Sequence, residues 1–189
     1  MPGLTWVPFS DNNTELVLGW RNSPRVRANM IDDSVISAAS HKAFLRALET
    51  DRSREYFVVY LGKMPVAALS FISLGQPDVT WGCYIGTEKM VPGLFVALFI
   101  IATDHVFAKP ETSALCSEIV SDNMAPIKFN RFLGLKTTGS YKRTASSGSE
   151  IELCCYRLER PRLAEIKAKA FTAMPSSMKL AYKHWNTEN

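Results

Sequence analysis

Apolar and polar positions along this chain alternate between two rhythms, one of strands and one of helices. Leu4 to Pro8 reads as a short edge strand. Asp11 to Asn13 supplies an N-cap for a helical start, TELVLGWRN, which Asn22-Ser23-Pro24 interrupts because the residue before proline avoids the α region. Arg25 to Met30 resumes the helix, and Ser34 to Ala39 forms a connector. Ser40 is expected to cap a helix over His41–Thr50, whose apolar Ala43, Phe44, Ala47 and Leu48 fall on one face. Three strands follow, Glu55–Leu61, Met64–Ser73 and Val79–Ile85, joined by a Gly62-Lys63 turn and by the longer Leu74–Asp78. A long helix spans Gly93 to about Ala108. Beyond it come a strand (Thr112–Val120), a helix (Ala125–Leu133) capped by Asp122-Asn123 and ended by Gly134, and a strand or loop (Lys136–Lys142). A Ser/Gly turn at Ala145–Gly148 leads into a last strand, Glu150–Leu158. Connections this short make the middle strands a meander, so the fold class is α+β with a mostly antiparallel sheet.

Val79 to Ala108 is the stretch around which the rest is arranged. A strand (VTWGCYIG) opens through a polar turn closed by Val91-Pro92-Gly93 into an apolar run too long for a core strand. The unpaired N–H groups at such a helix start, together with the helix dipole, form a site for phosphate or another anion. The turn alone is common among α/β and α+β domains, and an ordinary core helix explains it equally well.

Composition changes the picture only slightly. With 189 residues, 47% hydrophobic and 21% charged, the chain has ordinary globular content and length enough for one full core. The formal charge of +4 is unevenly placed: residues 160–189 hold six Lys/Arg against Glu165 and Glu188, which leaves the body neutral. A neutral body argues against nucleic-acid binding. The chain thus divides into a body, residues 1–159, and a basic extension, residues 160–189, read as solvated and partly helical, with a helix from Pro161 to about Ala173 and a second short segment after Pro175. Cys83, Cys116, Cys154 and Cys155 show no C-x-x-C spacing, so no metal site is expected, and reduced thiols fit a cytoplasmic protein. The N-terminus lacks the pattern of a signal peptide, and the apolar run Leu94–Ala102 is too short to span a membrane.

Two sets of residues carry a resemblance. Asn123-x-x-Pro126-Ile127-x-Phe129-Asn130-x-x-Leu133-Gly134-Leu135, set after the strand–turn–helix, resembles a segment of the GNAT acyltransferases. Trp20-Arg21-Asn22-Ser23-Pro24, Met30, His41-x-x-Phe44-x-x-x-Leu48, Tyr56-Phe57-x-Val59 and Gly82-x-Tyr84 are similar to one branch of that family. These are the N-acetyltransferases of pseudaminic acid biosynthesis, which acetylate the 4-amino group of a UDP-linked dideoxy sugar. The resemblance covers about residues 14 to 158. It implies a GNAT domain at 1–159, acetyl-CoA as cofactor, and direct attack by the acceptor amine in a ternary complex.

By the same resemblance, Cys83, Tyr84 and Ile85 pair with the pantetheine amides, and Val91, Gly93, Leu94 and Phe95 hold the pyrophosphate. Asn123 and Asn130 complete the cofactor site, Asn123 doing so unless it only caps its helix. Tyr84, Asn130 and Asn123 are the catalytic candidates, and Arg21, His41, Ser73 and Thr80 the substrate-side residues. Two departures from the family stand out. Pro92 and Phe95 alter the phosphate loop, Phe95 either blocking it or pointing into the core, and Asn130 replaces a proton-donating Tyr. The expected partner is a small-molecule amino-sugar nucleotide, with no nucleic acid or membrane and with room for a homodimer. The alternatives are a ribosomal-protein-type acetyltransferase of peptide N-termini, whose family shares the W-R-N-x-P opening, and a catalytically degenerate GNAT-like binding module.

Overall fold

The computed structural model describes residues 2–146 and 148–188. Ser147, within the expected Ala145–Gly148 turn, and Asn189, at the end of the expected extension, lie outside the described residues. Seven strands form one sheet: β1 (Leu4–Pro8), β2 (Arg54–Leu61), β3 (Met64–Ile72), β4 (Asp78–Ile85), β5 (Ala114–Val120), β6 (Thr137–Thr144) and β7 (Glu150–Glu159). Their order is β1-β2-β3-β4-β5-β7-β6, and every neighbouring pair is antiparallel except β4 with β5. The α+β, mostly antiparallel expectation therefore holds.

The helices are α1 (Thr14–Asn22), α2 (Pro24–Arg27), α3 (Ala38–Thr50), α4 (Leu94–Phe107), α5 (Met124–Leu133), α6 (Leu163–Ala173) and α7 (Ser176–Glu188). Helix α3 begins earlier than its pattern suggests, because the Ser37 hydroxyl, not that of Ser40, is the cap and accepts from Ser40 N at 3.0 Å. Asn13 is held by its own turn instead of capping α1, accepting from Ser10 N and donating to Pro8 O.

Helix α4 is apolar on nearly every side, with Leu98, Ile100, Ile101 and Ala102 fully buried. A helix of that kind needs neighbours all round. The sheet covers one side; α6 and α7 cover another, bringing Ile166, Ala170, Met174, Met178, Ala181, Tyr182 and Trp185 into the same core. The solvated extension expected from the charge count is thus a packed layer. Its anchors are Asp104 of α4, which accepts from Lys167 and Tyr182, and Trp185, set edge-on to Trp6 at 4.6 Å. Among the described residues no helix is long and apolar enough to cross a membrane.

Candidate active site

The site begins with a failure of pairing. Strands β4 and β5 run side by side only over Asp78–Thr80 and Ala114–Cys116. Beyond that point β4 keeps β3, with Trp81 to Ile85 opposite Phe71 to Ala67, and β5 keeps β7, but they no longer bond each other. Two strand edges therefore face a gap with unpaired N–H and C=O groups, which water or a ligand must satisfy. Bulky rings lie under the gap on the α4 side. Trp81 packs on Phe95 (6.2 Å) and Phe99 (5.8 Å), and Phe129 of α5 meets both phenylalanines, at 5.2 and 5.4 Å. The gap opens into a cavity of about 730 Å³.

The opposite wall is built by the Trp20-Arg21-Asn22 segment of α1. Gly86, where β4 ends, lies under the Trp20 indole; a Cβ there would sit 2.0 Å from the ring, so only glycine fits. Trp20 also meets Tyr84 edge-on, at 6.5 Å. Asn22 holds the segment after α2 from both sides, donating to Ile36 O and accepting from Ile36 N, each at 2.8 Å. Arg27 donates to Asp33 O at 2.7 Å, and Arg21 donates to Asp32 O. Arg25 reaches down to Gly86 O at 3.0 Å, tying α2 to the end of β4.

Two polar residues that line the cavity, Arg21 of α1 and His41 of α3, each carry a buried atom with no hydrogen-bond partner. In Arg21 that atom is Nη1. Burial pulls the Arg21 pKa below the usual guanidinium value while nearby Asp32 opposes the shift, and guanidinium stays charged throughout. His41 is 4% exposed and lines the same cavity, with its Nε2 likewise unpartnered. Desolvation lowers its pKa, so the imidazole is neutral at pH 7.

Chemistry narrows further at β4. Burial raises the Tyr84 phenol far above its usual value, which leaves it a hydrogen-bond donor and removes it as a base. The Cys83 thiol packs against the core, and desolvation pushes it up to about 12. A thiol of that kind is no nucleophile near neutrality, which removes a covalent acyl-cysteine route through Cys83.

The cavity brings together Cys83, Tyr84, Ile85, Phe95, Asn123 and Asn130 with Arg21 and His41. Asn123 stands at the N-cap of α5 without a side-chain capping bond, and it lines the cavity. Asn130, 6% exposed, lies two turns further along the same helix. Phe95 joins the ring cluster under the gap, so its side chain is directed away from the phosphate loop.

Val91, Gly93 and Leu94 lie outside the cavity, Val91 in the loop before α4 and Gly93 and Leu94 at its start. Gly93 is left-handed, at φ +79°, and a Cβ on it would meet Pro175 of the C-terminal layer at 2.5 Å. Leu94 N bonds Val91 O and Ala97 N bonds Gly93 O, while the amides of Phe95 and Val96 belong to the turn that no earlier turn can satisfy. Ser73 and Thr80 are misplaced as substrate residues. Ser73 sits in the β3–β4 turn and Thr80 at the vertex where β4 and β5 still pair, both at the closed end of the gap. Neither lines the cavity.

Sequence reasoning passed over Tyr56, Ser70, Arg25 and Glu118, which also line it. The alternation of β2 and β5 marks Tyr56 and Glu118 as facing away from the α4 core. That they border a cavity depends on strand divergence, which no local pattern reports.

The sequence matches no family model. It is 24% identical over 123 residues to acetyltransferase PseH of Campylobacter jejuni, covering 65% of this chain and 76% of that protein. The fold is similar to that of spermidine N-acetyltransferase from Vibrio cholerae, solved with CoA and spermine (TM-score 0.76, 12% identity, 85% of this chain and 98% of that one). It is equally similar to Mycobacterium smegmatis RimJ, solved with CoA-disulfide (TM-score 0.76, 12% identity, 90% and 88%). The chain has the fold of the GNAT acyltransferases.

Proposed function

We propose that this protein is an acetyl-CoA-dependent N-acetyltransferase whose acceptor is a nucleotide-linked amino sugar of the UDP-4-amino-4,6-dideoxy type. The observation that carries the reading is the gap between β4 and β5, whose unpaired strand edges open into the cavity that holds Arg21 and His41 on its far wall.

The residues present fit the cofactor. The free edge of β4 at Trp81–Ile85 offers alternating donors and acceptors to an amide-bearing arm, and the first turn of α4 offers N–H groups to a pyrophosphate. Pro92 removes one donor from the approach to that turn, and Gly93 lets Pro175 of the C-terminal layer pack against its start. Asn123 and Asn130 would border the same arm from α5. Acetyl-CoA, when bound, supplies the acetyl thioester.

This chain's residues orient and polarise. Strand N–H groups facing the gap stabilise negative charge developing on a carbonyl oxygen. Tyr84 and Asn130 donate hydrogen bonds but do not give up a proton readily, so a proton bound for sulfur travels by water or by the acceptor itself. Arg21 and neutral His41 suit the diphosphate and polar edges of a nucleotide. Support for the sugar comes from the likeness to PseH and from the Trp20–Pro24 segment that shapes this wall. The V. cholerae enzyme, solved with spermine, shares the fold, and the W-R-N-x-P opening is shared with ribosomal-protein-type enzymes, so polyamines and peptide N-termini are the acceptors to set beside it.

Calorimetric titration with acetyl-CoA and with CoA is the test, followed by thiol release with a UDP-linked 4-amino-4,6-dideoxy sugar, spermine and an N-terminal peptide. Micromolar cofactor binding with thiol release on the sugar nucleotide alone is expected. Absence of binding at millimolar acetyl-CoA overturns the enzyme reading and leaves a GNAT-shaped binding module. Release on the peptide instead overturns the acceptor.

A further inference from the structure

The C-terminal layer reaches the first turn of α4 at the corner between its two helices. That corner runs from Met174 to Met178, and its two methionines are 2% and 3% exposed. Between them Pro175 stands against Gly93, the residue before the first turn of α4. A Cβ on Gly93 would lie 2.5 Å from Pro175 Cδ and 3.3 Å from Met178 Cβ, so the corner rests on the backbone of the turn itself. The corner is held from within, Met174 N bonding Phe171 O and Lys179 N bonding Pro175 O. It is also pinned from a distance, through Asp104 with Lys167 and Tyr182 and through Trp185 against Trp6.

The loop that leads into α4 has little else to fix it. Gly86 N and Thr87 N bond Val66 O, and Lys89 N bonds Thr87 Oγ1. The next backbone–backbone bond among the described residues is Leu94 N to Val91 O, within the turn. Met90 is 91% exposed, and Pro92 has no N–H to offer. Leu94, 1% exposed, anchors the inner side of the turn, while Pro175 and Met178 close its outer side. The free amides of Phe95 and Val96 are therefore aimed by two contacts, one in the core and one in the C-terminal layer. A hydrogen bond weakens steeply once its angle falls below about 120°, so a turn that rocks loses donors.

We propose that Pro175 is a positioning residue for the cofactor: its ring, wedged on Gly93, holds the first turn of α4 in the conformation that receives a pyrophosphate. The inference rests on the acetyl-CoA reading, and it adds to that reading a segment beyond residue 159, outside the family resemblance. Anion binding by backbone amides depends on their being fixed beforehand, because every donor that must be reordered on binding costs affinity. The role has a thermodynamic counterpart. Where a docked corner favours the phosphate-binding turn, bound cofactor favours the docked corner by the same factor. Acetyl-CoA therefore protects α6 and α7 from local opening without touching either helix.

The test compares the wild-type protein with Pro175→Ala, which removes the ring atoms that meet Gly93, and with Tyr182→Phe, which loosens the same layer at Asp104. Calorimetric affinity for acetyl-CoA, thermal melting and amide hydrogen exchange are the readouts. Pro175→Ala is expected to weaken acetyl-CoA binding about five- to tenfold. Its melting temperature should fall by only about 2–4 °C. Pro175→Val, which restores apolar bulk against Gly93, should recover part of the affinity. Tyr182→Phe should melt earlier by a similar amount yet bind acetyl-CoA within twofold of wild type. In the wild-type protein acetyl-CoA should slow exchange across α6 and α7, and in Pro175→Ala that protection should shrink. Affinity within twofold of wild type in Pro175→Ala, an equal loss in Tyr182→Phe, or exchange in α6 and α7 that ignores acetyl-CoA overturns the role of Pro175 and leaves cofactor binding intact. The exchange measurement needs wild-type protein alone, so it decides the matter even where Pro175→Ala does not fold. A wild-type protein that binds no acetyl-CoA overturns the cofactor reading, and this role with it.

Discussion

The two walls of the cavity are held by different physics. The α1–α2 wall is a set of side chains clamped onto backbone: Asn22 on Ile36, Arg21 on Asp32, Arg27 on Asp33 and Arg25 on Gly86. The β4–β5 wall is backbone left unpaired above a cluster of rings, Trp81, Phe95, Phe99 and Phe129. Hydrogen bonds to carbonyls fix position and contribute modest net stability; buried rings contribute much more through burial. Damage to the first wall should therefore act mainly on acceptor binding, and damage to the second on the fold itself.

The largest expected effect lies under the gap. Trp81 is almost fully buried and touches both Phe95 and Phe99, so Trp81→Ala should lower unfolding free energy by about 3–5 kcal/mol in urea titration. A loss below about 1 kcal/mol would show that the rings do not carry the sheet at this point, and the contrast between walls would collapse.

Asn22→Ala tests the other side. It removes both bonds to Ile36 and frees the segment between α2 and α3, with an expected stability loss of about 1–3 kcal/mol. Under the proposed function, KM for the sugar nucleotide should rise about tenfold or more while the acetyl-CoA affinity stays fixed. If Asn22→Ala unfolds the protein as severely as Trp81→Ala, the first wall is part of the core after all.

The same contrast explains which features could be read along the chain. The first wall is written locally: Trp20, Arg21, Asn22 and Pro24 are consecutive or nearly so, and each acts within its own loop or on the end of β4. The second is written in long-range pairing. The resemblance puts Ser73 and Thr80 on the substrate side, but divergence of β4 from β5 begins after Thr80, so these two end at its closed side. Glu118 went unnoticed for the same reason, since its exposure to the cavity follows from a neighbour that β5 loses. The C-terminal segment departs from its solvated expectation for a different cause. Its Lys and Arg residues dominate a charge count, whereas Ile166, Ala170, Met174, Met178, Ala181 and Trp185 recur every three or four positions and announce a buried stripe.

The smallest expected effect separates the walls by pH. His41 of α3 is buried beside the first wall with Nε2 unpartnered, and desolvation sets its folded pKa below the unfolded value of about 6.5. Between those two values the unfolded chain binds more protons than the folded one, so stability rises with pH across that window. As pH falls through about 6.5, the protein should lose the stability that a neutral imidazole gives, with the loss complete once pH drops below the folded pKa. His41→Phe, which keeps the ring against Phe44, should flatten that acid-side decline in melting temperature without changing the neutral-pH value greatly. An unchanged decline in the variant would place the acid sensitivity elsewhere. A nucleotide-linked acceptor that bonds Nε2 should move the wild-type midpoint and leave the variant's midpoint where it was.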